Sequence, residues 1–192
     1  MAERGQKTIL IAAGAFIALL LLVASVAFPA PEPADAAKPA EAGFSKLRKL
    51  VGEWQGPGPK SYGNAVIKLN YRLISDDSVL IETFRIPEQD LEMLTVYHLD
   101  GERLALTHYC AVNNQIRMLA DLSSVPGTPA EIRRIDFAFR DGSNIEHAHQ
   151  EVMDRLGIVF EDDKHLTQVW HCRDEKSPTG EDSAVYRYTR VK

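Results

Sequence analysis

All six histidines of the chain, His98, His108, His147, His149, His165 and His171, fall in its second half. Imidazole is the commonest transition-metal ligand, and its unperturbed pKa lies close to neutral. In an extended segment His147 and His149 place both rings on one face, which makes them the candidate pair for a divalent metal. No H-E-x-x-H motif and no zinc-type ligand spacing accompanies them, so hydrogen-bonded structural roles compete at every histidine. Cys110 follows His108 by two residues. Neighbours on one strand face are not an oriented nucleophile and base, and no third member or oxyanion donor is recognisable, so no catalytic residue is assigned. Cys110 and Cys172 are the only cysteines, too few for a disulfide scaffold and without C-x-x-C spacing. A Cys110–Cys172 disulfide and two free thiols are both open readings.

Asp100-Gly101, read as a two-residue hairpin turn, sets Leu99 opposite Glu102, Tyr97 opposite Leu104, Thr95 opposite Leu106 and Met93 opposite His108. Met93, Tyr97, Leu104, Leu106, His108 and Cys110 then share one face, and its apolar content points it inward. Glu82 shares a face with Leu80, Phe84 and Ile86. The opposite face, Val79, Ile81, Thr83 and Arg85, is nearly as apolar, so periodicity does not choose between them. Turned inward, Glu82 is a binding or acid–base candidate with a raised pKa; turned outward, it pairs with an arginine on a neighbouring strand. Glu82, Met93, Tyr97, Leu106 and His108 are therefore the candidate ligand-binding residues.

The elements that must position these groups are mostly strands. Phe44, Leu47, Leu50 and Val51 recur at helical spacing and predict one short helix ending at Gly52. Apolar and β-branched runs then predict strands near 65–74, 78–86, 91–99, 103–111, 115–121, 134–140, 156–161, 165–172 and 183–191. Ser75-Asp76-Asp77, Asp100-Gly101, Asn113-Asn114, Asp141-Gly142 and Asp162-Asp163 read as the turns between them. Consecutive hairpins with two long edges are best resolved by closure, so the expected fold is all-β: an antiparallel up-and-down β-barrel of about nine to ten strands behind a short N-terminal helix. An open sandwich is the alternative.

Ahead of this domain, Ile9 to Phe28 is an apolar run without a charge, long enough to span a bilayer, and Arg4 and Lys7 precede it. The positive side stays in the cytoplasm, which sends the rest across the membrane. Residues 1–28 are thus expected to be a signal peptide or an uncleaved membrane anchor, and residues 29–43, rich in Pro and Ala, a linker. Residues 44–192 would form the barrel in the periplasm or cell envelope. The net charge of −5 offers no basic field for nucleic acid.

The segment Leu50-Val51-Gly52-Glu53-Trp54-Gln55-Gly56-Pro57-Gly58 reads as a helix end followed by G-x-W-x-G-x-G. It resembles the opening of lipocalin-like (calycin) barrels, in which a Trp near the start of the first strand plugs the barrel floor, and its glycine spacing is similar to that of nitrobindin-type haem-binding barrels. Met93 to Gly101 followed by Leu106-Thr107-His108-Tyr109-Cys110 resembles uncharacterised bacterial exported proteins of the same class. The resemblance covers roughly residues 44–192 and implies a fold, with Gly52, Trp54 and Gly56 in structural roles. Nitrobindin likeness further implies haem on a proximal histidine in the C-terminal strands, with His165 or His171 in place for it.

The leading expectation is an exported, non-enzymatic barrel that binds a small, largely apolar molecule in its interior. The alternatives are a metal- or haem-binding envelope sensor or enzyme that uses the histidines, and a filled barrel whose outer surface binds another envelope protein.

Overall fold

The protein is described by a computed structural model for residues 38–58, 63, 65–123, 125–145, 151–173 and 181–191. The apolar run at 9–28 and the pair His147 and His149 lie outside these residues. Among the described residues no helix is long and apolar enough to cross a membrane.

Helix α1 (Pro39–Arg48) opens the domain. It starts before Phe44, inside the segment that composition marks as linker. Pro39 sits where a missing N–H costs nothing. Ala40 and Ala42 are buried, and a Cβ on Gly43 would come within 3.0 Å of Leu104 Cδ2, so these small residues let the helix lie close against the barrel. Phe44 and Leu47 enter the core. Val51, expected on the same apolar face, falls beyond the helix end and is exposed.

Ten strands follow: β1 (Gly52–Pro57), β2 (Val66–Ile74), β3 (Val79–Ile86), β4 (Leu91–Asp100), β5 (Arg103–Tyr109), β6 (Gln115–Ala120), β7 (Arg134–Ser143), β8 (Val152–Phe160), β9 (His165–Arg173) and β10 (Glu181–Arg190). Each pairs antiparallel with its sequence neighbours, and β1 pairs with β10, which closes an up-and-down barrel. All the expected strands are present, and β1 is the addition. Its two glycines and proline are poor strand formers, so neighbours rather than propensity hold it extended. Gly52 has φ of +132°, a conformation L side chains rarely adopt, and a Cβ on Gly56 would meet the Arg187 carbonyl oxygen at 2.0 Å.

Two turns differ from expectation. The β4–β5 turn is Gly101-Glu102, with Asp100 opposite Arg103, Tyr97 opposite Leu106 and Thr95 opposite His108. Gly101 alone of the two has positive φ, +62°, which fits a type II′ turn with glycine first. The register moves by two residues, not one, so the inward face is unchanged. Asp141-Gly142 is not a turn: β7 runs through it, and Gly142 packs against the Gln115 carbonyl, where a Cβ would lie 2.9 Å from the oxygen.

α1 lies at one end of the barrel. Lys38 Nζ pairs with Glu102 at 2.7 Å and Arg48 with Asp77 at 2.9 Å, tying the helix to the β4–β5 and β2–β3 turns. Trp54 fills the floor beneath it, and its indole N–H donates to the Leu50 carbonyl at 2.8 Å. Arg190 covers that ring at 4.1 Å and donates to the carbonyls of Lys49, Val51 and Asp163 at 2.7, 2.7 and 2.9 Å. One guanidinium therefore stitches the helix end, β10 and the β8–β9 turn together.

Candidate ligand site

The inward face of β3 carries Leu80, Glu82, Phe84 and Ile86, so Glu82 points in. Burial alone would make a carboxylate there costly. Partners from the adjacent strand β4 and from β9 across the barrel reduce that cost: Tyr97 O–H donates to Glu82 Oε2 at 2.7 Å and Gln168 N–H at 2.8 Å. Gln168 Nε2 also lies 2.9 Å from Tyr71 Oη, and Trp170 N–H donates to Gln168 Oε1 at 3.2 Å. Desolvation raises the Glu82 pKa above the usual carboxylate range, and the hydrogen bonds from Tyr97, Tyr71 and Gln168 oppose that rise. The same burial, with the Glu82 carboxyl beside them, pushes the phenols of Tyr71 and Tyr97 well above their ordinary value.

His108 stands one layer further from the helix, on β5 opposite Thr95, and only 4 % of its surface is exposed. Its Nδ1 lies 3.0 Å from Thr95 Oγ1, and its ring meets Trp170 at 4.7 Å between centroids. Nε2 is buried and has no hydrogen-bond partner among the described residues. Burial lowers the imidazole pKa to about 4, so the ring is neutral at pH 7. A buried polar atom without a partner costs free energy and marks a place where something else can bind.

Next to it is a cavity of about 20 Å³ lined by Glu82, Phe84, Met93, His108, Met153, Trp170 and Tyr186. That is room for roughly one water-sized occupant. Met153 reaches the cavity because the β8–β9 register shifts between Met153 and Arg155. Leu156 and Ile158 face inward, so an unbroken alternation would turn Met153 outward; the extra residue at Asp154 turns it in, opposite Cys172. Asp154 itself accepts a hydrogen bond from His171 Nδ1 at 2.6 Å. A larger hollow, about 630 Å³, lies on the outer face of β1 to β4, where Arg85 pairs with Glu92.

Of the residues singled out from sequence, Glu82, Met93 and His108 come together at the cavity. Tyr97 reaches it only through its hydrogen bond to Glu82, and Leu106 is core packing toward the helix end. Phe84, Met153, Trp170 and Tyr186 also line it and are not among the residues the sequence singles out. The alternation Leu166, Gln168, Trp170, Cys172 carries a readable signal for Trp170, whereas the bulge hides Met153. Cys110, half-buried after β5, and Cys172, buried near the end of β9, are not joined to each other, and burial raises the Cys110 thiol pKa.

The haem expectation does not fit. His165 is exposed and bound to Asp162 at 2.8 Å, and His171 lies on the outward face between Asp154 and Arg155. Neither ring lines the cavity, which is far too small for a macrocycle. Among the described residues no group of three or more His, Cys, Asp and Glu side chains is arranged to hold a metal ion. The closed ten-stranded barrel is consistent with a calycin-like fold, while no protein-family profile and no curated protein matches the chain.

Proposed function

We propose that this is an exported, ligand-binding barrel that takes a small, largely apolar guest at the end away from α1, with His108 as its polar anchor. The observation that carries the reading is the orphaned Nε2 of a buried histidine beside a void walled by Phe84, Trp170, Tyr186 and two methionines. Such a lining, apolar with one or two polar tips, is what small-molecule sites use. The void is smaller than the ~300 Å³ at which ordinary ligand pockets begin, so a guest larger than a few atoms enters by rotation of Met93 and Met153. Both are only partly buried and unbranched, and both can swing without moving the backbone.

The export half of the proposal rests on the run from Ile9 to Phe28 behind Arg4 and Lys7. A reporter fused after Lys192 tests it: activity of a cytoplasm-only reporter in intact cells refutes the orientation. For binding, the neutral fluorescent probe N-phenylnaphthylamine is titrated into the full chain. His108→Ala is expected to change its affinity and His149→Ala to leave it alone; the reverse result favours metal at His147 and His149.

A second reading has its own support. Trp54, Tyr71, Tyr97, Phe137 and Tyr188 are the largest fully buried side chains and occupy much of the interior. A filled barrel that binds another envelope protein by its outer surface predicts no probe uptake at all.

A further inference from the structure

We propose that the cavity beside His108, with Met93 and Met153 in place, is a site for one soft monovalent metal ion of the copper(I) and silver(I) class. This shares with the preceding reading only the premise that the cavity takes an occupant. The apolar guest requires the methionines to swing away, whereas the ion requires them where they are.

Three observations converge. The first is size: about 20 Å³ holds a single atom-sized body and excludes anything larger. The second is the donor set. Two methionines, Met93 and Met153, line the same space as His108, whose Nε2 is buried without a partner. A water there would have His108 Nε2 and the Glu82 carboxyl as partners, but the two thioether sulfurs are weak acceptors for it and good donors to a soft ion. Soft thioethers select copper(I) over magnesium or calcium, which call for six or more oxygens. Zinc is a poor match as well, because its usual sites supply four thiolate, imidazole or carboxylate ligands, and the one carboxyl here is engaged by Tyr97 and Gln168.

The third is how the donors are aimed. Thr95 Oγ1 lies 3.0 Å from His108 Nδ1; with the Nδ1 proton donated to it, the Nε2 lone pair is left for an ion, the usual orientation of a ligating histidine by an outer partner. The bulge at Asp154 costs β8 its regular pairing and has the effect of turning Met153 to the same space. Trp170 and Tyr186 complete the wall, and a ring face turned to the ion would add cation–π attraction.

Silver(I), which is redox-inert under assay conditions, is the probe. The full chain carrying Cys110→Ser and Cys172→Ser, to remove competing thiols, is titrated with silver nitrate while Trp fluorescence is followed, and bound metal is counted after dialysis. The expected result is one silver per chain with quenching of Trp170, lost in Met93→Leu/Met153→Leu, a pair that keeps volume and apolarity. The same pair in the chain with its cysteines intact is expected to lower the silver count by one, which covers the case in which the serine variant does not fold. Silver binding that is unchanged by the leucine pair, or a competing zinc stoichiometry, overturns the proposal. Uptake of N-phenylnaphthylamine without silver binding sinks the metal site and leaves the apolar guest; silver binding without probe uptake does the opposite; neither sinks both.

Discussion

His108 ought to make the stability of the barrel fall in mild acid by an amount that can be worked out. Its ring is neutral in the folded state down to about pH 4, against 6.5 for the unfolded chain. Above pH 6.5 both states are neutral there and the contribution to stability is fully present. Between pH 6.5 and 4 the unfolded chain takes up a proton that the folded protein refuses, so stability is lost as pH falls, with a slope of about 1.4 kcal/mol per pH unit. Over the whole window this comes to about 3 kcal/mol. Glu82 works in the opposite direction: its raised pKa means that stability is gained as pH falls toward the unfolded carboxyl value. The wild-type profile therefore mixes two opposed terms, and the informative quantity is a difference. Urea unfolding of the wild type and of His108→Gln at half-unit steps from pH 7.5 to 4 gives that difference directly, because Glu82 and the surface carboxyls are common to both. It is expected to shrink by about 3 kcal/mol across the series. Parallel profiles for the two proteins would refute the idea that a buried neutral imidazole is the cause. In Glu82→Gln the acid loss is expected to steepen, because the opposing term is gone.

The position of α1 predicts that residues 38–192 unfold cooperatively on their own, whereas 44–192 lose the first half of the helix and, with Phe44 and Leu47 no longer held, about 3 kcal/mol or more by urea denaturation. Arg190→Ala removes three hydrogen bonds to backbone carbonyls and the cover over Trp54, and is expected to cost about 2 kcal/mol and shift Trp54 emission to the red; Arg190→Lys should recover only part of this. With Cys110 and Cys172 unjoined, a reductant leaves the Tm unchanged, and a thiol reagent labels Cys110 well before the buried Cys172. A Tm that falls on reduction would mean the two are paired.

The sequence carries the strand pattern clearly because turns and alternation are local. It carries the site less well because the site is assembled from distant partners and broken rules. Val79, Ile81 and Thr83 are apolar enough to compete with Leu80 and Phe84 for the interior, and Ile81 is indeed nearly buried on the outer side. What settles Glu82 is Gln168, 86 positions away, and no local pattern announces that bond. Met153 is hidden by the bulge, since alternation counted from Leu156 assigns it to solvent. The helix start is hidden by composition: Pro39, Ala40 and Ala42 read as linker, yet small size is what lets the helix settle onto Leu104. The two-residue change in the β4–β5 turn did no harm because side-chain direction repeats every second residue.

The meeting of β1 and β10 has a bearing on the order in which the protein is made. Every other ladder joins strands that are consecutive in the chain and can form as soon as both exist. The β1–β10 ladder has only Trp54 opposite Arg190 and Gln55 opposite Thr189, and Arg190 reaches Val51 across 139 positions. Until β10 is available, the growing sheet has two unpaired edges, at β1 and at whichever strand is latest. The β1 edge is short and carries Gly52, Gly56 and Pro57, which makes it a poor template for a stray strand while it waits. A chain interrupted before β10 can hold most of its hairpins and still leave the floor around Trp54 open. The last strand of the barrel thus completes the sheet: without β10 the sheet keeps two open edges, and its pairing with β1 removes both at once.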